Sequence, residues 1–314
     1  MKRHTKYQLL VAMSASMLLP ISTIGLADEA VDAPDTTNWV CKLCLVSNGW
    51  KSDWDFGLIY VDDPTPKFAD YRGMSDDGTY IEASGNSRYV DDKGHYIDIY
   101  GRNLGLDSRQ LEMRGGKQGR FELRLDYSEI PRYLGNGTVT PYEGVGTDTL
   151  VLPQGQSSDI STWSPALLES KRKTADAGLT VKMGRSWSLD ADYERQTRDG
   201  TRSFAGGTFA INGALFPAPV DYTTNIFRTG LEYAGKRGQV RLDFINSDFD
   251  NGFSSVTWDN YLTIGFGDDV SRSALEPDNS FQQVSLAEVL AGGRRSTLFV
   301  IVFIQVRQKN HFRV

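Results

Sequence analysis

The chain has 314 residues, enough for one large domain or two ordinary ones, yet hydrophobic residues make up only 39% and mean hydropathy is -0.38, poor for a large soluble core. Thirty-one glycines and 11% aromatics fit many strands joined by turns, and argue against disorder. A formal net charge of -6 offers no basic excess to neutralise phosphates, which excludes a nucleic-acid binder.

The N-terminus carries Lys2, Arg3 and Lys6, then an apolar run to Leu26, then Gly25-Leu26-Ala27 before acidic Asp28 and Glu29. Basic, apolar and small-residue regions in that order read as a secretory signal peptide over 1–27, cut after Ala27. An uncleaved anchor helix is the other reading, weakened by Ser14, Ser16, Pro20, Ser22 and Thr23. No later stretch reaches the roughly 18 apolar residues of a membrane helix, so any spanning falls to strands.

Residues 28–51 read as a periplasmic segment holding the two cysteines, Cys41 and Cys44. A c-type haem attachment site needs His after the second Cys, and Leu45 stands there. Two thiols cannot complete a four-ligand zinc site, and His4, His95 and His311 are scattered, so no metal site is expected. A disulfide or a redox-responsive dithiol is left for Cys41 and Cys44.

Alternation then dominates. Trp54, Phe56, Leu58 and Tyr60 share one face of the first strand, and Asp62 to Gly78 reads as a long loop. Thr79 to Val90 is a second strand, Asp91 to Gly94 a tight turn, and His95 to Arg102 a third strand. Leu111 and Met113 mark the fourth. Gly115 to Gly119 reads as a glycine-rich turn, and Phe121, Leu123, Leu125 and Tyr127 alternate with Glu122, Arg124 and Asp126 in the fifth.

Glu129 to Lys173 reads as a loop too long for an ordinary connection in a compact domain. Ala175 to Met183 and Trp187 to Glu194 form the next hairpin, with Asp190, Asp192 and Glu194 on its wet side. Thr197 to Tyr222 reads as a second long loop. Phe227, Leu231 and Tyr233 lead through a turn at Ala234 to Gly238 into Val240, Leu242 and Phe244, with Arg241 and Asp243 on the other face.

Short turns alternate with long loops along strands that have one apolar and one charged face. The expected fold is therefore all-β, an antiparallel transmembrane outer-membrane barrel with about 9–11 strands. A soluble β-sandwich or a β-rich periplasmic protein also alternates; the dense charged face of every good strand and the signal peptide before it favour the barrel. Glu122, Arg124, Asp126, Asp190, Asp192, Glu194, Arg241 and Asp243 are expected to face the lumen, and Cys41 and Cys44 its periplasmic mouth. No catalytic set emerges: no Gly-x-Ser-x-Gly is present, no His fits a triad, and Gly144-Val145-Gly146 lacks the context of a nucleotide loop.

Several runs carry a family resemblance: Gly101-Arg102-Asn103-Leu104-Gly105-Leu106-Asp107-Ser108-Arg109, Gly116-Lys117-Gln118-Gly119, Tyr127-Ser128-Glu129-Ile130-Pro131, Thr140-Pro141-Tyr142 and Leu150-Val151-Leu152-Pro153. In order and spacing, across about residues 38 to 285, the chain resembles the MtrB/PioB family of decahaem-associated outer-membrane proteins. Cys41-Lys42-Leu43-Cys44 also resembles the pair of metal-reducing members. The resemblance implies a non-enzymatic barrel in the outer membrane, set in its lipid. It would sheathe a periplasmic decahaem c-type cytochrome and dock an outer-surface multihaem one for extracellular electron transfer. The haem would belong to those partners, with no cofactor on this chain. The alternatives are a diffusion porin for small solutes or ions, or a thiol oxidoreductase using Cys41 and Cys44.

Family members are roughly twice this length, so the chain is expected to be truncated, with residues 52–285 the N-terminal part of a larger barrel. Residues 286–314 carry five basic residues, one acidic residue and the apolar run Leu298 to Ile304 without alternation. They are expected to be a frameshifted or otherwise non-native tail, the alternative being a fully apolar strand.

Overall fold

The computed structural model describes residues 48–311, apart from 136, 156–157, 210–211, 237, 261–268 and 292–297. The expected signal peptide over 1–27, the N-terminal segment as far as residue 47, and Cys41 and Cys44 lie outside the described residues.

Seventeen elements other than one short 3-10 turn follow in order. They are β1 (Gly49–Val61), α1 (Pro66–Arg72), β2 (Gly78–Val90), β3 (His95–Leu104), β4 (Gln110–Lys117) and β5 (Phe121–Tyr133). After β6 (Val139–Thr140), β7 (Thr149–Leu150) and β8 (Ser164–Pro165) come β9 (Glu169–Met183), β10 (Trp187–Phe209), β11 (Asn212–Gly235) and β12 (Gly238–Asn251). Then come β13 (Ser255–Asp259), β14 (Val270–Ala274), β15 (Asp278–Ala291) and β16 (Leu298–His311).

Eleven strands form one sheet in the order β1-β2-β3-β4-β5-β9-β10-β11-β12-β15-β16. Each pairs antiparallel with its neighbour in that order. Among the described residues β1 and β16 are its two edges, so the wall is open. The strand count and antiparallel order meet the sequence expectation.

The register keeps the two faces apart across strands. Leu123 pairs with Leu179, Leu179 with Ala191, Ala191 with Thr229, and Thr229 with Phe244. The next row joins Phe121, Val181, Leu189, Leu231 and Leu242. Because side chains alternate strictly, one register choice places every such row on one face. Leu123 and Leu125 are 44% and 41% exposed, so no protein layer covers this face. Trp50 against Tyr89, and Trp187 against Tyr233, sit at its turn end with ring centroids 5.2 and 5.0 Å apart, as in an interfacial aromatic girdle.

Three expectations need correction. The segment Thr197 to Tyr222 is no loop: β10 and β11 pair from Trp187↔Tyr233 to Phe209↔Asn212. Its glycines and Pro217 and Pro219 read as breakers, but β12 meets β11 only from Tyr222↔Asn251 onward. Before that point β11 has β10 on one side only, an edge position where proline is tolerated. The turn assigned to Gly115–Gly119 is shorter, because Gly115, Gly116 and Lys117 pair with Leu123, Glu122 and Phe121. The loop Glu129 to Lys173 is cut at both ends by β5 and β9, which pair as far as Tyr133↔Glu169.

The tail set apart at 286–314 also pairs. Residues 286–291 complete β15, and β16 runs beside it from Asp278↔His311 to Ala291↔Leu298. Ladder hydrogen bonds come from the backbone, so an apolar run needs no period of two to make them.

Both packed clusters lie at the long-loop ends of strands. One joins Val61, Met74 and Leu106, with Ile59 and Tyr80 packed against it. Here the loop after β1 contains α1, capped by Thr65, whose side chain accepts from the Phe68 N–H at 3.4 Å, and begun by Pro66. Gly73 ends it at φ 70, where any Cβ would run into the backbone of Asp107 and Ser108. Ser108 Oγ donates to the Arg72 carbonyl at 2.8 Å and accepts from Asn103 Nδ2 at 3.0 Å, with Asn103 itself at φ 51. The run Gly101 to Arg109 thus works as a clasp for α1. The sequence reading missed this helix.

The second cluster joins Tyr142, Leu150, Phe216, Val256, Trp258 and Leu275. It packs the connections after β5 and β12 onto the β10–β11 extension. Phe216 and Trp258 stack with centroids 4.8 Å apart, and Gly206 lacks the Cβ that would strike both rings. Burying each such ring contributes about 2–3 kcal/mol.

Candidate functional site

The charged face of β5 to β12 is ordered into rows by the same register. Glu122 pairs with Thr180, Thr180 with Asp190, Asp190 with Gly230, and Gly230 with Asp243. Arg124, Gly178, Asp192 and Arg228 form the next row, and Asp126, Asp176 and Glu194 the one after. Arg241 lies opposite Glu232 on the other side of the first row. All eight residues singled out in the sequence therefore share one face.

The structure brings all of them but Glu122 together through three arginines. Arg124 reaches Asp126 at 2.8 Å, Asp176 at 2.7 Å and Asp192 at 2.6 Å. Arg228 takes the other oxygen of Asp192 at 2.9 Å and Glu194 at 3.2 Å. Arg241 holds Asp190 at 3.2 Å, Glu232 at 3.2 Å and Asp243 at 2.8 Å. Glu122 stands apart from these and accepts from the Tyr96 hydroxyl at 2.5 Å. Asp126 and Asp176 are direct cross-strand neighbours whose repulsion Arg124 relieves.

Two glycines make the network possible. A Cβ on Gly178 would lie 3.1 Å from an Arg124 nitrogen and 3.2 Å from Asp192 Oδ2. A Cβ on Gly230 would lie 2.6 to 2.8 Å from Arg241, Asp190 and Asp243. Each glycine leaves a notch through which an arginine crosses a whole strand to its acid. Beside the network lies a hollow of about 410 Å³ lined by Glu122, Arg124, Asp192, Arg228, Arg241 and Asp243, among others.

Asp176, Arg228 and Glu232 complete the network, although the sequence reading did not single them out. The signal was present in the same alternation, since each falls on the wet face of its strand. Gly178 and Gly230 carried no such signal, because a glycine in a strand announces close approach only once its neighbours across the sheet are known. Among the described residues no group of three or more His, Cys, Asp or Glu is arranged to hold a metal ion.

Comparison with known proteins agrees with this architecture. The family described as "Putative outer membrane beta-barrel porin, MtrB/PioB" matches residues 60–313, which includes β15 and β16. Outer membrane protein MtrB of Shewanella baltica (strain OS185) is 30% identical over 276 residues, 83% of this chain. The chain covers 39% of that relative's length. The wall of eleven antiparallel strands is part of an outer-membrane barrel, and the chain belongs to the MtrB/PioB family.

Proposed function

We propose that the charged face lines a lumen that sheathes a periplasmic decahaem c-type cytochrome, and that the barrel helps dock an outer-surface multihaem cytochrome. In this reading the barrel is not an enzyme. It binds no cofactor, and the haem belongs to its partners. Electrons cross the outer membrane along the sheathed cytochrome while the apolar face meets lipid.

One observation carries the reading: the wall holds its own counter-ions. Arg124 and Arg241 are turned onto wall carboxylates through the notches at Gly178 and Gly230, and Arg228 onto Asp192 directly opposite it, rather than out into the lumen. Such a surface suits a protein occupant, which would otherwise have to desolvate free charges. A diffusion porin, the second reading, is favoured by the excess of acid around those three arginines, which suits small cations.

An affinity pull-down of the tagged chain from outer membranes, stained for covalent haem, separates the two. The sheath reading expects haem-staining bands at stoichiometric yield and little ion conductance from the membrane. Conductance by the chain alone, with no haem-staining band, would establish the porin instead.

A further inference from the structure

Beyond the acidic rows the same face changes sign. A neutral row of Ser128, Thr174, Gln196 and Thr224 comes first. Next, Arg172 of β9 lies directly opposite Arg198 of β10, and Arg132 of β5 pairs with Ser170 one row further on. Arg202 follows on β10. The four arginines share the face of Arg124 because each lies an even number of residues from a charged-face position on its own strand.

Like charges set directly opposite destabilise a sheet, so the Arg172–Arg198 pair needs a counter-charge. The arginine pair Arg114–Arg124 also lies opposite, but there three carboxylates surround Arg124. Around Arg198 the guanidinia of Arg172, Arg132 and Arg202 all repel it. Among the described residues no carboxylate forms an ion pair with Arg132, Arg172 or Arg198. The nearby acid is already committed: Glu276 takes Arg202 at 2.6 Å and the Tyr222 hydroxyl at 2.8 Å.

Arg198 is also oriented. Its Nε and one terminal nitrogen donate to Ser170 Oγ at 3.3 and 3.1 Å, which fixes the plane of the fork. The site lies where the β10–β11 extension begins, beside the connection that carries Glu276.

We propose that Arg132, Arg172 and Arg198 form a binding site for a multiply charged oxyanion at the long-loop end of the charged face. Planar forks on adjacent strands match phosphate or paired carboxylate oxygens, whose charge would offset the mutual repulsion of the arginines. Two sources supply that chemistry: a free oxyanion, or the clustered carboxylates of an acidic protein segment. The site belongs to the chain by itself and does not depend on what occupies the lumen.

The test uses the detergent-solubilised full chain titrated calorimetrically with inorganic pyrophosphate at constant ionic strength. Saturable binding is expected, weakened tenfold or more in the Arg172→Gln/Arg198→Gln variant. It should be unchanged in Arg195→Gln, on the opposite face. Arg172→Lys/Arg198→Lys, which keeps the charge and loses the fork, should also bind more weakly. Without added anion, Arg172→Gln alone should raise the melting temperature, since it removes a like-charge pair; a purely structural arginine would lower it. A glutamate octapeptide that displaces pyrophosphate supports an acidic segment as the source, and one that does not supports a free oxyanion. Absence of saturable pyrophosphate binding, or equal binding by wild type and the double glutamine variant, would overturn the proposal and leave the sheath reading untouched.

Discussion

Arg124 on β5 reaches Asp192 on β10 at 2.6 Å, although β9 runs between their strands. Gly178 is the residue of β9 that lies between them. The contact sets a sign for substitution. A β-branched residue in place of a strand glycine ordinarily stabilises a sheet, on a scale spanning about 1 kcal/mol. Gly178→Val should instead destabilise by about 1–2 kcal/mol, because it fills the notch and separates an ion pair with charge-assisted hydrogen bonds. Arg124 is itself part-exposed, which keeps the figure low. Urea unfolding in detergent, compared with Gly57→Val where nothing lies within 4 Å, would measure the difference.

Trp258 makes a second prediction with two arms. It is 3% exposed, and among the described residues its indole N–H has no partner. Trp258→Ala should cost about 3–5 kcal/mol within the loop cluster. Trp258→Phe should cost far less, because it keeps much of the stacking and removes a buried donor. Limited proteolysis reads this locally: the alanine variant should be nicked in the connections after β5 and β12 while the sheet stays protected, and the phenylalanine variant should resemble wild type.

The tight turn before β3 should respond to acid. Asp91 Oδ1 accepts from the N–H groups of Lys93 at 2.9 Å and His95 at 2.8 Å, and its Oδ2 lies 2.8 Å from His95 Nδ1. The His95 ring bond first of all holds the Asp91 carboxyl below its usual range; desolvation opposes this and the two backbone bonds add to it. A carboxyl depressed by folding contributes stability that is complete above its unfolded pKa, about 4, and is lost as pH falls through the lowered value. Amide exchange at Lys93 and His95 should therefore quicken below about pH 4, and Asp91→Asn should abolish that step.

Much of the wall was legible in the sequence, because a period of two needs no knowledge of partners. Leu123, Arg124 and Leu125 declare their faces by themselves. Residues 197–222 did not, since glycines and prolines in an edge hairpin look the same as those of a loop until pairing is known. The helix at Pro66–Arg72 escaped because seven residues cannot display a helical period, although Thr65-Pro66 and Gly73 were its caps. The arginine site was hidden by the same loop assignments: Arg172 and Arg198 lie 26 positions apart, and only the β9–β10 register sets them opposite each other.

If the barrel sheathes a cytochrome as proposed, adjacent residues of one strand face lipid and a haem protein in turn. A photo-crosslinking amino acid placed at Thr180 or at Leu179 of β9, in cells that make periplasmic and outer-surface multihaem cytochromes, tests this reading. Thr180 lies on the charged face beside Asp190, and Leu179 on the apolar face beside Ala191. Irradiation of outer membranes should give an adduct that stains for covalent haem from position 180 and none from position 179. Haem-free adducts from both positions, or a haem-staining adduct from 179 alone, would contradict the account.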